Sequence, residues 1–119
     1  MVRGSVVIVS AQGDYGKPRP AIVIQNTRLG ELIDSVTVCF MTSDLIPDGL
    51  MRVAVEPHGA NGLQARSQVQ VEKIMTFPKR KVRGPVGALS ASEMSAVDRG
   101  LLLFLDLFQP TSFSAGPVR

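Results

Sequence analysis

Arg19 stands between Pro18 and Pro20, at the end of a segment, Gly13 to Pro20, made of glycine, proline, acid and base. A proline pushes the residue before it towards extended geometry, and a proline without a backbone donor best fits the first position of a strand. Arg19 is thereby held in stiff backbone at the mouth of a strand, beside a loop able to move. A rigid guanidinium in that setting suits a phosphate, although an arginine between prolines is more often a solvated strand-edge residue. Tyr15, the only tyrosine, lies in the same loop. A second constellation is Ser67–Lys73, SQVQVEK. Period two puts Val69 and Val71 on one face and Gln68, Gln70 and Glu72 on the other. The polar face ends in a carboxylate, and such a stripe either meets water or lines a groove. Lys79-Arg80-Lys81 with Arg83 reads as a solvated loop or as a track for a phosphate backbone.

The remaining chemistry is narrowed by what is scarce. One histidine and one cysteine exclude a structural zinc site of the usual four-ligand kind. Neither a Walker-type nor a dinucleotide glycine pattern occurs, so no metal or nucleotide cofactor is expected. Cys39 sits in an apolar segment and reads as a small buried hydrophobe; a lone cysteine permits no internal disulfide and suits a reducing cytoplasm. His58 reads as a surface residue. Thirteen Lys and Arg against ten Asp and Glu give +3, a mild bias towards an anionic partner. No apolar run approaches the roughly 20 residues of a membrane span, and the N-terminus shows no charged-then-apolar leader.

These residues need a scaffold, and 119 residues allow one domain, taken as 1–108, with a small-residue tail over 109–119 expected to be disordered. Strands are predicted at Ser5–Ser10, Ala21–Gln25, Ser35–Met41, Met51–Val55 and Ser67–Lys73, with a short last one at Pro85–Leu89. Between them, Asn26–Asp34, Pro47-Asp48-Gly49, Glu56–Arg66 and Phe77–Gly84 carry turn or loop chemistry. Thr42-Ser43 most simply forms a turn that satisfies its own backbone. Ser90 and Glu93 make a capping box before an apolar-periodic helix, Ala91–Leu107. Met94, Val97, Leu101, Phe104, Leu105 and Phe108 lie along one side of it. Leu102, Leu103 and Leu107 fall outside that stripe, which predicts a dimer or a protein-binding surface there. The sum is a mainly β chain: a compact, strongly bent antiparallel sheet or small barrel with one C-terminal helix.

An R-G before an apolar strand, a glycine-rich loop ending in R-P, and a strand closing in I-Q-N form a familiar order. Thr42-Ser43 then follows the third strand, and Gly62-Leu63 precedes S-x-V-x-V-E-K-I-M-T across Ser67–Thr76. In this order and spacing the chain, from Arg3 to about Phe108, resembles the MazF/PemK/Kid toxin family. The resemblance implies a Src-homology-3-like barrel of the MazF/Kid/CcdB type. It also implies a homodimer and the toxin of a type II toxin–antitoxin pair, a sequence-specific endoribonuclease cutting single-stranded RNA, such as mRNA, without metal. The 2′-hydroxyl would attack the adjacent phosphate, leaving a 2′,3′-cyclic phosphate and a 5′-hydroxyl. A cognate antitoxin would lay an acidic, disordered segment over the groove and fold as it binds.

On that resemblance Arg19 is the cation that stabilises the phosphorane. Thr42, with Ser43, orients a non-bridging oxygen, and Glu72 takes the 2′-proton. Asp14, Tyr15, Lys17, Ser43, Gln68, Gln70 and Lys73 are the expected RNA contacts, with Tyr15 stacking on a base. Some members carry a histidine in the first loop and an arginine on the strand of Ser67–Lys73; here those places hold Asp14, Tyr15 and Gln70, leaving Arg19 or a water as proton donor. Two other readings stay open: a non-enzymatic CcdB-like toxin acting through its helix, and a small barrel that binds RNA or protein without chemistry.

Overall fold

A computed structural model of the chain describes residues 1–10, 17–47 and 51–107. Asp14, Tyr15, Phe108 and the tail 109–119 lie outside the described residues. Six strands, β1 (Ser5–Ser10), β2 (Pro18–Val23), β3 (Ser35–Thr42), β4 (Arg52–Val55), β5 (Ser67–Pro78) and β6 (Val82–Ala88), form one sheet. Their order is β4-β5-β3-β2-β1-β6, with every pair antiparallel. Helix α1 (Thr27–Gly30) joins β2 to β3, and α2 (Ala91–Phe104) follows β6.

Alternation along the strands sends apolar side chains to both faces, and each face has its own core. Val6, Ile22, Cys39, Met41, Val69 and Val71 pack with Val97 and Leu101 of α2 on one side. Val7, Val9, Ala21, Val38, Phe40, Phe77 and Val82 pack on the other. Gly100 permits the helix contact, because a Cβ there would lie 3.2 Å from Cγ1 of Val71. Arg3 ties the first side together: its Nε donates to the Ile24 carbonyl at 2.8 Å and its Nη2 to Asp98 Oδ1 at 2.6 Å.

Several boundaries differ from the sequence reading. β2 begins at Pro18, not Ala21, so Arg19 lies inside a strand, opposite Val9. The pairing of β2 with β3 starts only at Ala21, opposite Phe40. The two prolines thus occupy a stretch paired with β1 alone, where a missing donor is tolerated. β5 runs twelve residues to Pro78, and the expected loop Phe77–Gly84 shrinks to a single 3-10 turn, Lys79–Lys81, before β6. Phe77 and Val82 cause this, since both bury their side chains in the second core, Phe77 edge-on to Phe40 at 6.0 Å between centroids. The capping box is formed: Glu93 N donates to Ser90 Oγ at 3.2 Å and Ser90 N donates to Glu93 Oε1 at 2.7 Å. α2 ends at Phe104 rather than Leu107. Leu102, Leu103 and Leu107 are exposed outside the buried stripe, and Phe104 and Leu105 are exposed with them. No helix among the described residues is long and apolar enough to cross a membrane.

Candidate RNA-cleavage cleft

β2, β3 and the loop before β5 enclose a cleft of about 590 Å³. Arg19 reaches it from β2, and its Cζ lies 5.0 Å from the centroid of the Phe40 ring on β3. The ring face attracts the cation and removes freedom from its long side chain, so the guanidinium is oriented. Thr42 is the last residue of β3, and Ser43 follows it; both line the same cleft. Thr42 Oγ1 accepts from Asp44 N at 3.0 Å, which turns the chain away from the sheet and leaves the hydroxyl proton available to donate. Lys17 stands exposed at the rim. Lys17, Arg19, Thr42, Ser43 and Ser67 thus line one cleft together with the apolar Val6, Ile8 and Met41. The arrangement can hold a phosphodiester and stabilise extra negative charge on it.

The expected polar stripe of β5 is placed differently. Thr42 lies opposite Gln68, so Glu72, four residues further along β5, is displaced from Thr42 by about 13 Å at roughly 3.3 Å per residue. Glu72 does not line the cleft. Its Oε2 accepts from both Nε and Nη2 of Arg52, each at 2.9 Å, while its buried Oε1 has no partner. Gln68 is occupied by the loop after β3: it accepts from Ile46 N at 3.1 Å and donates to Ile46 O at 2.8 Å. Gln70 is 4% exposed and its Oε1 has no partner. Lys73 is exposed and outside the cleft lining.

Two features, one in the cleft and one outside it, were not singled out from sequence. The wall opposite Arg19 is Gly62 to Ala65, for which the only signals were the Asn61-Gly62 turn and the Gly62-Leu63 step. The partner of Glu72 is Arg52. Alternation in MRVAV does place Arg52 on the face away from Val53 and Val55, but pairing of β4 with β5 is needed to set it opposite Gln70. Cys39 is fully buried in the core under α2. Burial pushes its thiol up to about 12, the charge of Glu72 adds to this, and Arg3 opposes it. A thiol in that state is no nucleophile at neutral pH. His58 packs outside the cleft, with Nε2 at 3.3 Å from Glu93 Oε1 and Nδ1 accepting from Ala60 N. Among the described residues, no group of three or more His, Cys, Asp or Glu side chains is placed to hold a metal ion.

Comparison with known proteins bears on what this cleft does. Residues 2–105 match the family of PemK-like, MazF-like toxins of type II toxin–antitoxin systems. Over 108 residues the chain is 37% identical to a probable endoribonuclease MazF of Mycolicibacterium smegmatis, covering 90% of this chain and 98% of that protein. The fold is shared with the Mycobacterium tuberculosis toxin MazF-mt6 at a TM-score of 0.76 and 23% identity, over 88% of this chain and 99% of that one. It is shared also with an endoribonuclease of a mycobacterial species solved in complex with its cognate antitoxin, at a TM-score of 0.78 and 19% identity, over 92% and 99% of the two chains.

Proposed function

Because this chain belongs to the PemK-like, MazF-like toxin family of type II toxin–antitoxin systems, we infer that it is an endoribonuclease toxin that cuts single-stranded RNA at short sequences. The observation that carries the reading is the convergence of an oriented Arg19 with Thr42 and Ser43 in one cleft. A phosphodiester seated there places its non-bridging oxygens against the Arg19 fork and the Thr42 hydroxyl. The neighbouring 2′-hydroxyl attacks phosphorus and its proton passes to water, while the bond from phosphorus to the 5′-oxygen breaks and that oxygen takes a proton from a second water. The products are a 2′,3′-cyclic phosphate and a 5′-hydroxyl. Negative charge grows on the equatorial oxygens in the transition state, where donors fixed beforehand act most strongly. Arg19 supplies that charge stabilisation itself, so the reaction needs no metal. Lys17 and Ser43 hold the flanking backbone, and Asp14 and Tyr15 of the first loop, outside the described residues, stay candidates for base contacts. No step runs through Glu72, whose carboxylate is engaged by Arg52.

The toxin acts in the cytoplasm, where its RNA substrate is found. A cognate antitoxin neutralises it by laying an acidic segment over the mildly basic cleft rim. The exposed apolar end of α2, Leu102 to Leu105 with Leu107, supports a homodimer.

Incubation of the purified protein with a long single-stranded RNA in EDTA, beside an Arg19→Ala control, tests this. Fragments ending in 2′,3′-cyclic phosphate with the unmodified protein alone support the reading. RNA left intact by folded protein would sink it and favour a binding protein without chemistry.

A further inference from the structure

Resting on that ribonuclease reading, we propose that Gln64 is a specificity-determining residue of the cleft, pairing through its side-chain amide with the edge of one RNA base. The polar residues of the cleft divide by chemistry. Lys17 and Arg19 are cations suited to phosphate, and Thr42, Ser43 and Ser67 are single hydroxyls, the last one donating to Ala65 O. Gln64 is the amide among them. An amide sets a donor and an acceptor side by side in one plane, which is the pattern an exposed base edge complements. The two amides of the β5 stripe do not line the cleft: Gln68 is bonded in both directions to Ile46, and Gln70 is buried. Gln64 is exposed and makes no hydrogen bond to any described residue.

Its backbone is fixed from both sides. Asn61, fully buried, accepts through Oδ1 from His58 N at 3.2 Å and Leu63 N at 3.1 Å, and donates through Nδ2 to Glu56 O at 2.8 Å. Leu63 packs its side chain on the first core. On the other flank, the Ala65 carbonyl accepts from Ser67 Oγ at 3.0 Å, and Ser67 is buried. The base of the loop is closed by Arg66 Nε on Glu56 Oε2 at 2.7 Å. β6 supports it from behind, with Ala88 N donating to Ala60 O at 2.8 Å. An adaptable polar tip on a backbone that need not be ordered on binding is what selective base contact requires.

The test is cleavage of a randomised single-stranded RNA pool in EDTA by the unmodified protein, Gln64→Ala and Gln64→Glu, with sequencing of the new ends and melting temperatures alongside. Gln64→Ala is expected to lose the base preference at one position. Its kcat/KM should fall about tenfold on the preferred sequence and change little on RNA already differing there. Gln64→Glu, which accepts but cannot donate, is expected to shift that same position towards bases presenting an amino group, such as cytosine. Both variants should melt with the unmodified protein, since the side chain is exposed and makes no hydrogen bond to any described residue. Identical base frequencies in all three, or a uniform loss of rate with an unchanged profile, would overturn the inference while leaving the nuclease reading intact. Failure of the unmodified protein to cut the pool would overturn that reading and this inference with it.

Discussion

The guanidinium of Arg19 lies over the ring of Phe40, with Cζ 5.0 Å from the centroid. β2 and β3 are paired up to Ala21 and Phe40, so the arginine, two residues beyond on the same face, projects over the aromatic ring at the end of the ladder. Phe40 is itself fixed edge-on against Phe77 in the second core. The cation is thus oriented by a buried residue on a neighbouring strand.

Arg19→Lys keeps the charge and loses the planar fork and the stacking, so charge alone should not rescue the reaction. Single-turnover cleavage is expected to slow by about 100-fold with Arg19→Lys and by at least as much with Arg19→Ala. Both variants should still unfold cooperatively, at midpoints lowered by the loss of the contact with Phe40. A lysine variant cutting at the full rate would mean that Arg19 supplies only a diffuse field.

Arg52 and Glu72 share two hydrogen bonds with side chains 14% and 22% exposed. Removing one partner strands a partly buried charge, so Arg52→Ala is expected to cost about 3 kcal/mol in urea unfolding. Glu72→Gln retains the shape and an acceptor. Its cleavage rate should stay within a few-fold of the unmodified protein, where removal of a true general base costs about 100-fold or more. A loss of that size at unchanged stability would make Glu72 the base.

A Cβ on Gly87 would lie 2.3 Å from the Asn61 carbonyl carbon and 2.5 Å from its oxygen. Backbone cannot yield as a flexible side chain can. Gly87→Ala should therefore push the Glu56–Arg66 loop off β6, at a cost of about 2 kcal/mol or more, and lower cleavage together with melting temperature. A variant as stable and active as the original would show that the loop moves freely.

Cys39 carries a thiol raised from 9.0 to about 12, with burial the main cause. Its folded value stands above its unfolded one, so its contribution to stability is complete below about pH 9 and is lost as pH climbs towards 12. Urea midpoints should fall over that window, and less steeply for Cys39→Ala. At pH 8 the native thiol should resist a disulfide reagent that labels it at once in urea. Rapid labelling of the native protein would place Cys39 near the surface.

Local chemistry alone determined a good deal. The β-branched runs of β1 and β3, the alternation of Val69 and Val71, the Ser90–Glu93 capping box and the burial of Cys39 depend on neighbours a few residues apart. Side-chain period and backbone donors express those neighbours directly. The order of R-P, T-S and S-x-V-x-V-E was enough to indicate the family. Other features depended on tertiary structure. Alternation tells which face a residue takes, but not which strand lies beside it, so Arg52 could meet Glu72 only once β4 paired with β5. The reach of β2 back to Pro18 and of β5 out to Pro78 followed from pairing with β1 and burial beside Phe40, contacts made across long stretches of chain. The cleft itself is of this kind. Arg19, Thr42 and the wall at Gly62–Ala65 are brought together by sheet register and by a loop packed against β6, and no local preference encodes either.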